Sequence, residues 1–108
     1  MTFIEKKIWY FDTPGPVNTL DAAEFALRRA KDLSIPTIIV ASTTGTTAEI
    51  FHKAMTGSPI NLVVVTHVMG FTKPGEWEFS AEIARRLQDN GVKIVTGTHA
   101  LSGLERAL

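Results

Sequence analysis

Ile38-Ile39-Val40-Ala41-Ser42-Thr43-Thr44-Gly45-Thr46-Thr47-Ala48-Glu49-Ile50-Phe51 is an apolar run that breaks into hydroxyls around one glycine and then resumes with helical spacing. The pattern predicts strand, tight loop and helix. Thr37 to Ala41 is largely β-branched and shows no polar alternation, which predicts a strand buried on both faces of a parallel sheet. Pro36 marks its start. Five of the six residues from Ser42 to Thr47 carry hydroxyls, and Gly45 permits a positive φ or close approach to a ligand. Free N–H groups at the start of the following helix point back into this loop. The helix macrodipole adds partial positive charge there, so a phosphate would be favoured. A plainer alternative is that Thr46 or Thr47 caps the helix while the other hydroxyls solvate a turn. The loop has neither a Walker A pattern nor a Gly-x-Gly-x-x-Gly fingerprint, and it contains no Lys or Arg. Residue chemistry leaves both readings open.

Working outward, Lys7 to Phe11 is an apolar and aromatic run stopped by Pro14-Gly15-Pro16, which predicts a first strand with Asp12 at its carboxyl end. Asn18 or Thr19 is a suitable N-cap for a helix whose inward residues are Leu20, Ala23, Ala26, Leu27, Ala30 and Leu33. Arg28, Arg29, Lys31 and Asp32 fall on its other faces and read as a solvated surface. The second helix is expected from Thr47 to about Met55, with Ala48, Phe51, Ala54 and Met55 inward and His52 exposed. Gly57-Ser58-Pro59 stops it.

Leu62 to Val65 predicts a further buried strand ending in Thr66-His67. The long connection from there to Ser80 contains Gly70, Phe71, Lys73, Pro74, Gly75, Glu76 and Trp77, and connections of that length often bind ligands. Ser80 then caps a third helix with Ile83, Ala84 and Leu87 inward, and Asn90-Gly91 supplies its stop. Val92 to Val95 is the last expected strand, followed by a turn at Thr96-Gly97-Thr98-His99 and the start of a fourth helix over Leu101 to Arg106.

Strands alternating with helices imply an α/β fold, a parallel sheet of about four strands with βαβ crossovers and two or three layers. Such a sheet gathers its strand ends on one rim, where open α/β sheets bind ligands. The ligand-binding candidates are Ser42, Thr43, Thr44, Gly45, Thr46, Thr47, Thr66, His67, Gly70, Thr96, Gly97 and Thr98. His67 and His99 are the acid-base candidates, because imidazole titrates near neutral pH. Asp12 is the one nearby carboxylate that the topology suggests, too few ligands for a metal site, so none is expected. No nucleophile elbow Gly-x-Ser-x-Gly accompanies Ser42 or Ser102. Should every helix lie on one face, the other face requires cover from further chain or another subunit.

The 108 residues fit one domain, and 11 basic residues balance 11 acidic ones. A neutral chain carries no electrostatic footprint for nucleic acid or an anionic membrane. The absence of cysteine excludes disulfides, thiolate metal sites and thiol catalysis. No apolar run approaches spanning length and the N-terminus has no apolar signal core, so a soluble cytoplasmic protein is expected.

The Ser42 to Thr47 loop after its strand resembles the effector loop of the C-terminal α/β domain of pyruvate kinase, where a Thr/Ser-rich turn around one glycine holds a phosphate of a sugar bisphosphate. The chain is more similar still to a family of small pyruvate kinase α/β domain-like proteins. That resemblance rests on Lys6-Lys7-Ile8-Trp9-Tyr10-Phe11, Pro14-Gly15 with Asn18-Thr19, and the loop itself. It extends through Leu62-Val63-Val64-Val65-Thr66-His67, Gly70-Phe71 with Pro74-Gly75-Glu76, and Ser102-Gly103-Leu104-Glu105-Arg106. Members of that family continue well past the last segment, so the resemblance implies an N-terminal portion of a single domain.

Three functional classes follow. The first is a non-catalytic or regulatory domain that binds a phosphorylated small molecule such as a sugar phosphate or nucleotide. Flavin mononucleotide is one version, with its phosphate in the loop and Phe71 or Trp77 over its ring. Trp9, Phe71, Trp77 and Phe79 serve equally well as core or subunit contacts. The second class is an enzyme acting on a phosphorylated metabolite through His67 or His99. Kinase activity is not implied, because in pyruvate kinase that chemistry belongs to a different domain. The third is an assembly module forming a homo-oligomer through an exposed sheet face.

Overall fold

The computed structural model describes residues 2–67, without the His67 side chain, and residues 79–97. A 3-10 turn over Pro16–Asn18 leads into α1 (Thr19–Asp32), followed by β1 (Thr37–Ala41), α2 (Thr46–Ala54), β2 (Asn61–His67), α3 (Ala81–Asp89) and β3 (Lys93–Gly97). The strands form one sheet in the order β1-β2-β3, with both pairings parallel. Each strand therefore returns through a helix, as the alternating sequence pattern requires. Among the described residues the sheet has three strands, where about four were expected.

The missing strand is the predicted one at Lys7–Phe11, which is irregular. Trp9 instead packs on Phe25 of α1, their ring centroids 4.2 Å apart at 51°, with the Arg28 guanidinium 5.5 Å from the Trp9 ring. Strand propensity reflects fit to a pleated, half-buried surface. This run has no ladder partner among the described residues, and the side of α1 receives its indole. Ile8 and Tyr10 stay exposed. Asp12 lies in an exposed bend, so no strand carries it to the sheet rim.

α1 ends in a Schellman arrangement: Ile35 N–H donates to Ala30 O at 2.8 Å and Ser34 N–H to Lys31 O at 3.2 Å, with Ser34 left-handed at φ 56°. Ala23 and Ala30 are buried and Leu27 is partly so. Leu20 and Leu33, expected inward, are half exposed at its two ends, beyond the stretch that packs on α2.

The core is Ala48 and Met55 of α2 and its end, Leu62 and Val64 of β2, and Phe79, Ala84, Leu87 and Val92 in and around α3. Leu27, Ile38, Val40, Phe51, Ile83 and Ile94 pack against it. All three helices thus contribute to the same face of the sheet. His52, expected on the exposed side of α2, is half-buried.

The other face is bare among the described residues. Ile39 is 68% exposed, Val65 40% and Val95 41%, and the register Ala41↔Val65 and Val65↔Val95 places them in neighbouring rows. The expectation that β1 is buried on both faces is therefore wrong. A continuous apolar run signals two buried faces only when a second layer is present, and the described chain supplies one layer.

Candidate functional site

β1 and β2 end at the same rim, and the amide of Ser42 extends their ladder by donating to Val65 O at 3.0 Å. One step past Ala41↔Val65, Ser42 lies beside Thr66, and Thr66 pairs with Thr96 of β3. Side chains alternate along strands, so these three hydroxyl residues share the helix-bearing face with Val40, Val64 and Ile94. Thr96 and Gly97 were expected in a turn. They are the last residues of β3, drawn into the sheet by pairing with Thr66 and His67.

Gly45 is the N-cap of α2, at φ 110° and ψ −12°, and its own residue type offers no capping side chain. The cap comes from Ser42, whose Oγ accepts from Gly45 N–H at 3.2 Å and Ala48 N–H at 3.4 Å. This overturns the alternative in which Thr46 or Thr47 caps the helix. Both hydroxyls follow the cap position, and a residue inside the helix cannot reach back as an N-cap does. A serine buried under the loop takes the third amide of the helix instead.

Gly45 is also confined by packing. A Cβ there would lie 3.1 Å from Ile83 Cγ2 and 3.2 Å from Phe79 Cζ. The close approach this glycine permits is to the start of α3. Ser80 N–H donates to Thr44 O at 3.1 Å across the same junction, and Ser80 caps α3 as expected, its Oγ accepting from Ile83 N–H at 3.3 Å. The aromatic ring of Phe79 is buried in the core.

Outside this junction the loop faces solvent. Thr43, Thr44 and Thr46 are exposed, Thr47 is half-buried, and the hydroxyls of Thr44 and Thr46 are 3.4 Å apart. Among the described residues, the amides of Thr46 and Thr47 make no hydrogen bond, because the first helical N–H groups have no carbonyl a turn behind them. Glu49, in the first turn, would repel an anion, but Arg86 of α3 binds its carboxylate at 3.1 Å. The exposed pair is worth at most about 1 kcal/mol, yet it cancels the local negative charge.

A surface concavity of about 440 Å³ lies at the opposite rim, lined in part by Met55, Ser58, Asn61, Asn90 and Val92. The carboxyl ends of α2 and α3 face that side, where the helix dipoles are negative and an anion is disfavoured. The strand-end rim, where α2 and α3 begin, is therefore the better candidate for an anion.

Of the remaining sequence candidates, His67 ends β2 on the same rim, whereas Gly70, Thr98 and His99, along with Phe71 and Trp77, lie outside the described residues. The helix predicted from Leu101 to Arg106 also lies outside them. The capping role of Ser42 and the pressure of α3 on Gly45 both depend on contacts absent from the local sequence pattern. A serine three residues before a helix-initiating glycine was the available signal for the first.

The sequence model for the pyruvate kinase alpha/beta domain matches residues 21–103. The chain belongs to that family. Its match begins within the first turn of α1 and runs past β3, so it takes in β1, β2, β3, α2, α3 and all but the first two residues of α1. Among the described residues of this pyruvate kinase alpha/beta domain, no helix is long and apolar enough to cross a membrane.

Proposed function

We propose that this domain binds a phosphorylated small molecule at the loop Ser42–Thr47. The observation that supports this reading is the pair of unbonded amides of Thr46 and Thr47 at the positive end of α2, ringed by exposed threonine hydroxyls. Ser42 takes the Ala48 amide from below, which holds the helix end in place while leaving its outer donors free. Thr43, Thr44 and Thr46 would supply further hydroxyl donors, and Thr66, His67, Thr96 and Gly97 border the same rim.

Thermal melts test this with inorganic phosphate, phosphorylated sugars, nucleotides and flavin mononucleotide, using riboflavin as the unphosphorylated control. A ligand at one hundred times its dissociation constant adds about 2.7 kcal/mol to the folded state, which is a rise of several degrees in a domain of this size. Thr46→Glu separates binding from folding. A carboxylate at the first helical position favours the macrodipole by about 0.3–1 kcal/mol, so the unliganded variant should melt no lower than the parent. The same charge repels phosphate, and the ligand-dependent rise should vanish. A parent whose melting no phosphorylated compound moves would refute the reading.

The bare sheet face favours a second, compatible reading, association with another copy of this chain. Ile39, Val63, Val65 and Val95 line that face, and among its described strand residues Lys93 alone is charged. A two-fold pairing would set this largely apolar surface, Lys93 included, against its own equivalent.

A further inference from the structure

Thr66 is 2% exposed, and among the described residues its Oγ1 is a buried side-chain oxygen with no hydrogen-bond partner. Buried hydroxyls are ordinarily paired, because an unpaired one forfeits its bonds to water without replacement. Valine has nearly the same shape and would avoid that loss. The position of the hydroxyl is what distinguishes it. On one flank Ser42 has committed its Oγ to the amides of Gly45 and Ala48. On the other flank Thr96 is open to solvent. Thr66 thus stands at the ligand rim, one strand from the serine that holds the amino end of α2.

We infer that Thr66 is a donor of the anion site, its hydroxyl paired directly or through one trapped water only when a phosphate monoester or inorganic phosphate occupies the free amides of α2. This rests on the phosphate-binding reading. The hydroxyl then costs the empty domain its lost bonds to water and adds one charge-assisted bond to the filled one, so it acts as a selectivity element for oxyanions.

Thr66→Val deletes the O–H and keeps the shape, whereas Thr66→Ser keeps the O–H and deletes a buried methyl. Titrations of the full chain with inorganic phosphate and with flavin mononucleotide, beside thermal melts of each unliganded variant, separate the two effects. Thr66→Val should melt at or above the parent temperature yet bind both probes about tenfold more weakly, the worth of one such hydrogen bond. Thr66→Ser should melt lower and bind within about twofold of the parent. Parent-like affinity in Thr66→Val overturns the inference while leaving phosphate binding intact. A parent that binds neither probe overturns both, and a weakened Thr66→Ser with a parent-like Thr66→Val assigns the position to packing alone and overturns this inference only.

Discussion

At the scale of single residues, the loop divides into side chains that hold the fold and side chains that remain available. Gly45 belongs to the first group. Its φ of 110° disfavours any L side chain, and a new Cβ would press on Ile83 and Phe79. Gly45→Ala is expected to cost at least about 2 kcal/mol, combining backbone strain with overpacking, and Gly45→Val more. Such variants report on folding, so they do not isolate ligand binding. Ser42→Ala should cost about 1–2 kcal/mol by removing the acceptor for Ala48 N–H. Thr46→Ala should cost less than about 0.5 kcal/mol, because its exposed hydroxyl holds no helix amide. Urea unfolding of the four variants checks the ranking, and a Thr46→Ala loss equal to that of Ser42→Ala would contradict the capping assignment.

At the scale of elements, helix ends and packing faces decide which parts of the chain are firmly held. Ser80→Ala removes the side-chain cap of α3 and is expected to cost about 1 kcal/mol. Ser34→Gly should do the reverse, stabilising by up to about 1 kcal/mol by relieving a left-handed residue at the end of α1. The N-terminal run is held to α1 through Trp9, which meets Phe25 and the Arg28 guanidinium. Trp9→Ala should therefore cost no more than about 1.5 kcal/mol, against about 2–5 kcal/mol for Leu87→Ala in the core between α3 and the sheet. Equal losses at the two positions would mean that the N-terminal run is part of the cooperative core.

At the scale of the whole molecule, one sheet face carries three helices and the other carries solvent-exposed Ile39, Val65 and Val95. Parallel sheets are normally covered on both faces. Self-association should therefore appear as a concentration-dependent mass in sedimentation. Val65→Glu, at the centre of the bare face, should shift the population toward monomer with little loss of stability in each chain, since the side chain already meets water. A parent that stays monomeric at high concentration would refute this use of the face. The helix-bearing face and the strand-end rim do not depend on the outcome, so the proposed phosphate binding and the proposed association can be tested separately.

The sequence by itself determined the α/β class, the β1 boundaries at Thr37 and Ala41, the cap at Ser80 and the turn at Gly45, because each follows from interactions within a few residues. Apolar runs, a capping serine and a glycine before a helix carry the same local physics in most folds. Tertiary structure alone decided the matters that depend on neighbours distant in the chain. Lys7–Phe11 has the composition of a strand but no ladder partner among the described residues, and it packs Trp9 on α1 instead. Ile39 belongs to a run that reads as buried on both sides, yet exposure depends on a second layer that local sequence cannot specify. Ser42 is one hydroxyl among five in its loop, and only its place at the end of the β1–β2 ladder directs it to the amides of Gly45 and Ala48. The same ladder sets Thr66 beside it with an unpaired hydroxyl, because register between strands is a long-range property.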